Sequence, residues 1–180
     1  MSDKARLIEI LRERSVKTGE FTLSSGAKSD FYVDARVTTL HAEGAGVVAR
    51  LMLTRLHPDA VAIGGMSLGA DPIACSTAAI SGTTSRPVHA FLIRKTPKGH
   101  GTGRDLEGLA NLPDGAKVCM VEDTTTTGGS LLKAIKRAEA HGLQVVQCVT
   151  VVDREEGAVE RLQEAGYVLE ALTTRTELIG

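Results

Sequence analysis

The chain has 180 residues, 42% of them hydrophobic, and its 21 basic and 22 acidic side chains leave a formal net charge of −1. That length suits one domain with a real core, and the near-balance of charge excludes a basic field for nucleic acid or an acidic tail. No stretch approaches the roughly 20 apolar residues of a membrane span, and the opening "MSDKARLIEILRERS" has no apolar signal core, so a cytoplasmic protein without membrane or nucleic-acid partners is expected.

In chain order, "KARLIEILRER" carries Leu7, Ile8 and Leu11 at helical spacing and predicts an amphipathic opening helix. "GEFTLSSGAKSDFYVDAR" predicts two short β runs, 20–23 and 30–36, around a Ser-Ser-Gly turn. "GVVARLMLTRL" is helical up to Pro58, and "DAVAIGG" is a buried strand ending in glycines. "DPIACSTAAIS" predicts a helix with Asp71 as N-cap and Pro72 at its first position. "PVHAFLIRK" is a strand, and 94–116 a long polar, Gly-rich segment. "KVCMVED" is a strand, "SLLKAIKRAEAH" a helix closed by Gly142, and "LQVVQCVTVVD" a further strand; a helix near 155–165 and a strand near 167–173 complete the chain. Cys119 and Cys148 lie in apolar runs and, with Cys75, show no metal-binding spacing, so buried reduced thiols and no disulfide are expected.

Strands alternating with helices imply an α/β fold: a parallel sheet flanked by helices in one domain, 1–180, with residues 1–36 as a small N-terminal helix/strand extension. Ligands of such sheets bind beyond the carboxyl ends of strands. "VCMVEDTTTTGGS" occupies such a place. Gly128 and Gly129 admit a ligand to the backbone, Ser130 opens a helix whose free N–H groups favour an anion, and the threonines Thr124, Thr125, Thr126 and Thr127 can surround a phosphate. A phosphate alone would be repelled by Glu122 and Asp123, whereas a phosphorylated ribose offers a diol for the acids as well as a phosphate for the loop. The stretch is neither a Walker A loop nor GxGxxG. Arg94, Lys95, Lys98 and His100 then form a cationic, Gly-rich arm suited to covering a pyrophosphate.

"VCMVEDTTTTGGS" resembles the PRPP (phosphoribosyl-pyrophosphate) motif of type I phosphoribosyltransferases, and "FTLSSGAKSDFYVDAR", "RKTPKGHG" and "VVDREEG" resemble segments of the orotate phosphoribosyltransferase family, all four in family order along the chain. The resemblance implies transfer of a 5-phosphoribosyl group from PRPP to orotate with Mg²⁺ held mainly through PRPP rather than by direct protein ligands. It gives Glu122 and Asp123 to the ribose hydroxyls, 124–130 to the 5-phosphate, and Arg94, Lys95, Lys98 and His100 to pyrophosphate as the catalytic loop 94–112. Lys28 would reach PRPP, Phe31 and Tyr32 would flank the pyrimidine with Thr126 nearby, and Arg154 would meet the orotate carboxylate. It also implies a homodimer sharing the basic loop between subunits, with Lys95 expected to cross. One departure is Leu68-Gly69, where some members of the family carry Tyr-Lys. A phosphoribosyltransferase for another base and a non-catalytic PRPP sensor are the rival readings. His41, His57 and His89 are expected to be structural, His141 a helix-terminus residue, and Asp105 and Glu107 solvated loop charges.

Overall fold

The computed structural model of the chain describes residues 1–22, 28–96 and 105–180. Helix α1 (Asp3–Arg14) forms where Leu7, Ile10 and Leu11 stack on one face and are buried, with the Ser2 hydroxyl capping its first turn. Two antiparallel strands follow, β1 (Val16–Thr22) and β2 (Lys28–Val33), both starting earlier than the expected β runs, β1 longer and β2 one residue shorter. Next come the short α2 (Ala35–Thr39), α3 (Ala42–Arg55), β3 (Ala62–Met66), α4 (Ala70–Ser81) and β4 (His89–Ile93). Beyond them lie β5 (Leu106–Glu107), β6 (Lys117–Thr125), α5 (Gly129–Ala140), β7 (Gln144–Asp153), α6 (Ala158–Glu164), β8 (Leu169–Thr174) and α7 (Arg175–Ile179).

The main sheet has the order β5-β4-β3-β6-β7-β8, parallel throughout except for the two-residue edge strand β5. The strands alternate between two buried faces, as the pleat requires. Cys119 and Val121 of β6 face a core built with α1, α3 and α4, while Val118 and Met120 face a second core under α5 and α6. Chain order reverses at β3, whose neighbours are β4 on one side and β6 on the other. A crevice at such a switch point is where open α/β sheets bind ligands.

Two local expectations are corrected. Helix α4 begins at Ala70 behind Gly69, which has no capping side chain, and Asp71 accepts instead from the Ser67 hydroxyl at 2.9 Å, tying down the loop that leads into the helix. Strand β6 does not end with Asp123 but runs on to Thr125, with Glu122, Thr124 and Thr125 paired to Thr150, Val152 and Asp153 of β7. Pairing of β6 with β3 stops earlier, at Gly64 with Met120. The acids therefore stand on a strand end that outruns its neighbour. Strand β5 and the short helices α2 and α7 carry too few residues for a periodic signal and were absent from the sequence expectation.

Candidate active site

Adjacent residues of a strand point to opposite faces, so Glu122 and Asp123 diverge. Glu122 turns toward the first turn of α5, where the Ser130 hydroxyl bonds it and Lys95 lies within electrostatic reach. Burial pushes its carboxyl up to about 7, with the charge of Asp123 adding to the rise, while Ser130 and Lys95 oppose it. Asp123 turns toward α2 and the loop before α4. Burial raises its carboxyl as well, partly offset by the Thr124 N–H and by Arg36, whose Nε is 4.0 Å from Oδ2. A methyl group on Gly69 would fall 2.3 Å from Asp123 Oδ1, so only glycine there leaves the carboxylate its place.

These groups enclose a cavity of about 300 Å³ lined by Arg36, Met66, Ser67, Leu68, Gly69, Lys95, Glu122, Asp123 and Ser130. The Ser67–Leu68 peptide bond on its wall is cis. Gly128, at φ +72°, makes the left-handed turn into α5, and a methyl group there would meet Leu162 Cδ1 at 2.7 Å. The turn opens the amide end of a twelve-residue helix toward the cavity. Of the four threonines, Thr124 buries its Oγ1 without a partner among the described residues. Thr125 is different: its hydroxyl donates to Asp153 Oδ1 at 3.1 Å and is engaged in the fold. Thr126 is half-buried and Thr127 exposed.

The basic segment divides. Lys95 lines this cavity. Arg94 is not among the lining residues; it pairs with Glu107 at 2.7 Å across the β4–β5 edge. Arg137 of α5 donates to the Arg94 carbonyl at 2.5 Å and the Lys95 carbonyl at 3.3 Å. Asp105, expected to be solvated, is bonded by His141 Nε2 at 2.7 Å and has Arg137 Nε at 3.9 Å. Lys98, His100 and the rest of 97–104 lie outside the described residues, as does the Lys28 side chain, although Lys28 itself opens β2 opposite Thr22.

Arg154 follows the end of β7, its N–H bonded to the Thr125 carbonyl at 2.9 Å. Its guanidinium is almost fully buried, pairs with Glu156 at 2.7 Å, and leaves Nε without a hydrogen-bond partner among the described residues. It lies 5.9 Å from the centroid of the buried Phe31 ring, which Arg175 also approaches at 5.7 Å. Tyr32, one residue on, faces the other side of the ribbon, with its ring 5.7 Å from that of Phe21. Arg154 and Phe31 are thus brought together and Tyr32 is not. Sequence reasoning missed Arg36 and Arg137, and singled out Gly69 only as a departure from Tyr-Lys; "DAR" directly after a β run was the one local sign of the first.

The family model of the phosphoribosyl transferase domain matches residues 73–171. The orotate phosphoribosyltransferase of Nostoc sp. is 41% identical, the match covering 97% of this chain and 84% of that protein. This chain belongs to the orotate phosphoribosyltransferase family. That of Aquifex aeolicus is 40% identical over 99% of both chains. Among solved structures, the Mycobacterium tuberculosis H37Rv orotate phosphoribosyltransferase in complex with Fe(III) dicitrate superimposes with a TM-score of 0.84 at 40% identity over 99% of each chain. The same enzyme in complex with PRPP gives 0.77 at 36% over 98% of each. An adenine phosphoribosyltransferase from Leishmania tarentolae shares the fold alone, at 16% identity and a TM-score of 0.69. Among the described residues no helix is long and apolar enough to cross a membrane.

Proposed function

We propose that this chain transfers the 5-phosphoribosyl group of PRPP to N1 of orotate, giving orotidine 5′-monophosphate and pyrophosphate in pyrimidine biosynthesis. The observation that carries the reading is the divergent Glu122-Asp123 pair at a strand end, between a helix amide terminus and a cavity walled by Lys95. In this reading the acids hold the ribose hydroxyls, and the amides of 126–130 with the Thr124 and Thr126 hydroxyls hold the 5-phosphate. Lys95, with Lys98 and His100 of the neighbouring segment and Lys28, faces pyrophosphate; Arg94 contributes by bracing the stem. The buried, half-satisfied Arg154 guanidinium supports a carboxylate-bearing base, since a carboxylate supplies the missing acceptor.

As the C1–pyrophosphate bond breaks, positive charge develops on the ribose and negative charge on the departing group. Lys95 stabilises the latter, and the buried cradle holds C1 against N1 of orotate, whose N–H proton passes to solvent as the C1–N1 bond forms. No cluster of three metal-ligating side chains occurs among the described residues, whereas two carboxylates face one cavity, so the donors suit a divalent cation held largely by ligand oxygens. Mg²⁺ bound with PRPP would neutralise pyrophosphate charge, with the carboxylates of Asp123 and Glu122 available to it on the cavity wall. Free thiols at Cys75, Cys119 and Cys148 accord with a cytoplasmic setting.

The deciding assay follows orotate loss by ultraviolet absorbance with PRPP and Mg²⁺, beside uracil, hypoxanthine and adenine. Orotate alone should react; turnover of a purine, or binding without turnover, would defeat the reading. Arg154→Ala should raise the orotate KM about ten- to a hundredfold, from loss of a charge-assisted bond worth about 1.5–3 kcal/mol, with little change for PRPP.

The reading includes a two-fold homodimer. Exposed Val37, Leu40 and Leu68 line a shallow, largely apolar depression that shares Arg36 and Leu68 with the catalytic cavity, a face suited to a second copy. Refolding Lys98→Ala together with Asp123→Asn should regain roughly a quarter of wild-type activity if the loop crosses, because about half the dimers are mixed and each of those has one intact site. Lys95→Ala mixed with Asp123→Asn should regain none.

A further inference from the structure

Arg36 is the second cation of the cavity wall, and the reading above gives it no role. It stands on α2 and lines the same cavity as Lys95, with its Nε 4.0 Å from Asp123 Oδ2. Its Nε and Nη2 hold Asp34 Oδ1 and Oδ2, both at 2.9 Å, in a forked pairing, and Asp34 also accepts from the Arg36 N–H at 3.1 Å. Among the lining residues the formal charges are Arg36 and Lys95 against Glu122 and Asp123, which cancel. Without Arg36 the wall would carry a net negative charge where a highly charged anion must settle. The neighbouring loop 67–69 supplies no cationic side chain, because it reads Ser-Leu-Gly.

Geometry separates the two ends of the cavity. The amide end of α5 and Ser130 lie on the Glu122 side; Arg36 and the 67–69 loop lie on the Asp123 side. A ligand whose 5-phosphate rests on α5 and whose diol meets the acids therefore presents its C1 substituent away from α5.

We propose that Arg36 is a pyrophosphate-binding residue, exchanging its forked pairing with Asp34 for one with pyrophosphate oxygens of PRPP. The inference rests on the proposed function and extends it by one residue. The exchange is cheap: the Arg36–Asp34 pair is surface-exposed on the arginine side, and such pairs contribute little to stability. The guanidinium fork that matches a carboxylate also matches a phosphate, and a pyrophosphate returns more charge than Asp34 gives up. Asp34, anchored as the N-cap of α2, keeps the arginine folded toward the cavity until the ligand arrives.

The test is calorimetric titration of Arg36→Ala and Arg36→Lys with PRPP, inorganic pyrophosphate and ribose 5-phosphate, each with Mg²⁺; Arg36→Gln serves if the alanine variant melts early. Arg36→Ala should weaken PRPP and pyrophosphate about ten- to a hundredfold, Arg36→Lys should recover part of that loss, and ribose 5-phosphate should bind within about twofold of wild type. Unchanged pyrophosphate affinity would overturn the assignment. So would equal weakening of ribose 5-phosphate, which would mean that Arg36 acts only by holding Asp123. Failure of the wild-type protein to bind PRPP at all is a separate result, and it would count against the proposed function.

Discussion

The cradle at 122–130 and the basic stem at 94–96 and 105–107 are both rich in charge, yet they use it in opposite ways. In the cradle the backbone is held by β7 and by the start of α5, so Glu122 and Asp123 line the cavity and the Thr124 hydroxyl has no partner among the described residues. In the stem, side chains hold the backbone: Arg94 pairs with Glu107, His141 with Asp105, and Arg137 grips two carbonyls. Only Lys95 is directed into the cavity. Counting charges along a sequence cannot separate these cases, because the difference lies in what else each side chain meets.

The sharpest way to break the comparison is Asp123→Asn. If the cradle's charge belongs to the ligand, PRPP affinity by calorimetry should fall about ten- to a hundredfold, corresponding to about 1.5–3 kcal/mol. The melting temperature should hold or rise, since burial already disfavours the ionised carboxyl. A normal PRPP affinity would remove Asp123 from the site.

Glu122→Gln probes the same strain through pH. Its carboxyl is raised from 4.5 to about 7, so the folded state binds more protons than the unfolded chain between those values. Stability from this group is therefore full below about pH 4.5 and falls as pH rises toward 7, by at most on the order of 3 kcal/mol at about 1.4 kcal/mol per unit. Thermal melts from pH 5 to 8 should show a shallower decline for Glu122→Gln than for wild type. Parallel curves would mean that Glu122 is better solvated than its position indicates.

Gly128→Ala should cost about 1–2 kcal/mol of stability, from the left-handed backbone and the contact with Leu162, and should weaken ribose 5-phosphate. Chemical denaturation and titration read both effects; a fully stable variant with normal affinity would show that the turn tolerates a side chain. The smallest effect belongs to the stem. Arg137→Ala should lower kcat/KM for PRPP severalfold, through loss of about 1 kcal/mol of hydrogen bonding that sets Lys95, while leaving the orotate KM and ribose 5-phosphate binding unchanged. Equal loss for ribose 5-phosphate would mean that Arg137 supports α5 rather than Lys95.

Local pattern by itself determined much of this protein. Strand–helix alternation specified the parallel sheet, the apolar run before Glu122-Asp123 marked β6, and the glycines before Ser130 marked the entry to α5, because periodicity and turn chemistry act over a few residues. The tertiary structure decided the partners. Thr125 looks like its neighbouring threonines, but the facing Asp153 of β7 takes its hydroxyl. Asp71 looks like an N-cap, but Ser67 takes its carboxylate. Arg36 is brought to Asp123 from 87 positions away in the chain, and Arg137 reaches the carbonyls of Arg94 and Lys95 across the helix–sheet interface. Such pairings depend on strand order and on which face of the pleat each residue takes, and neither is encoded within any short window of sequence.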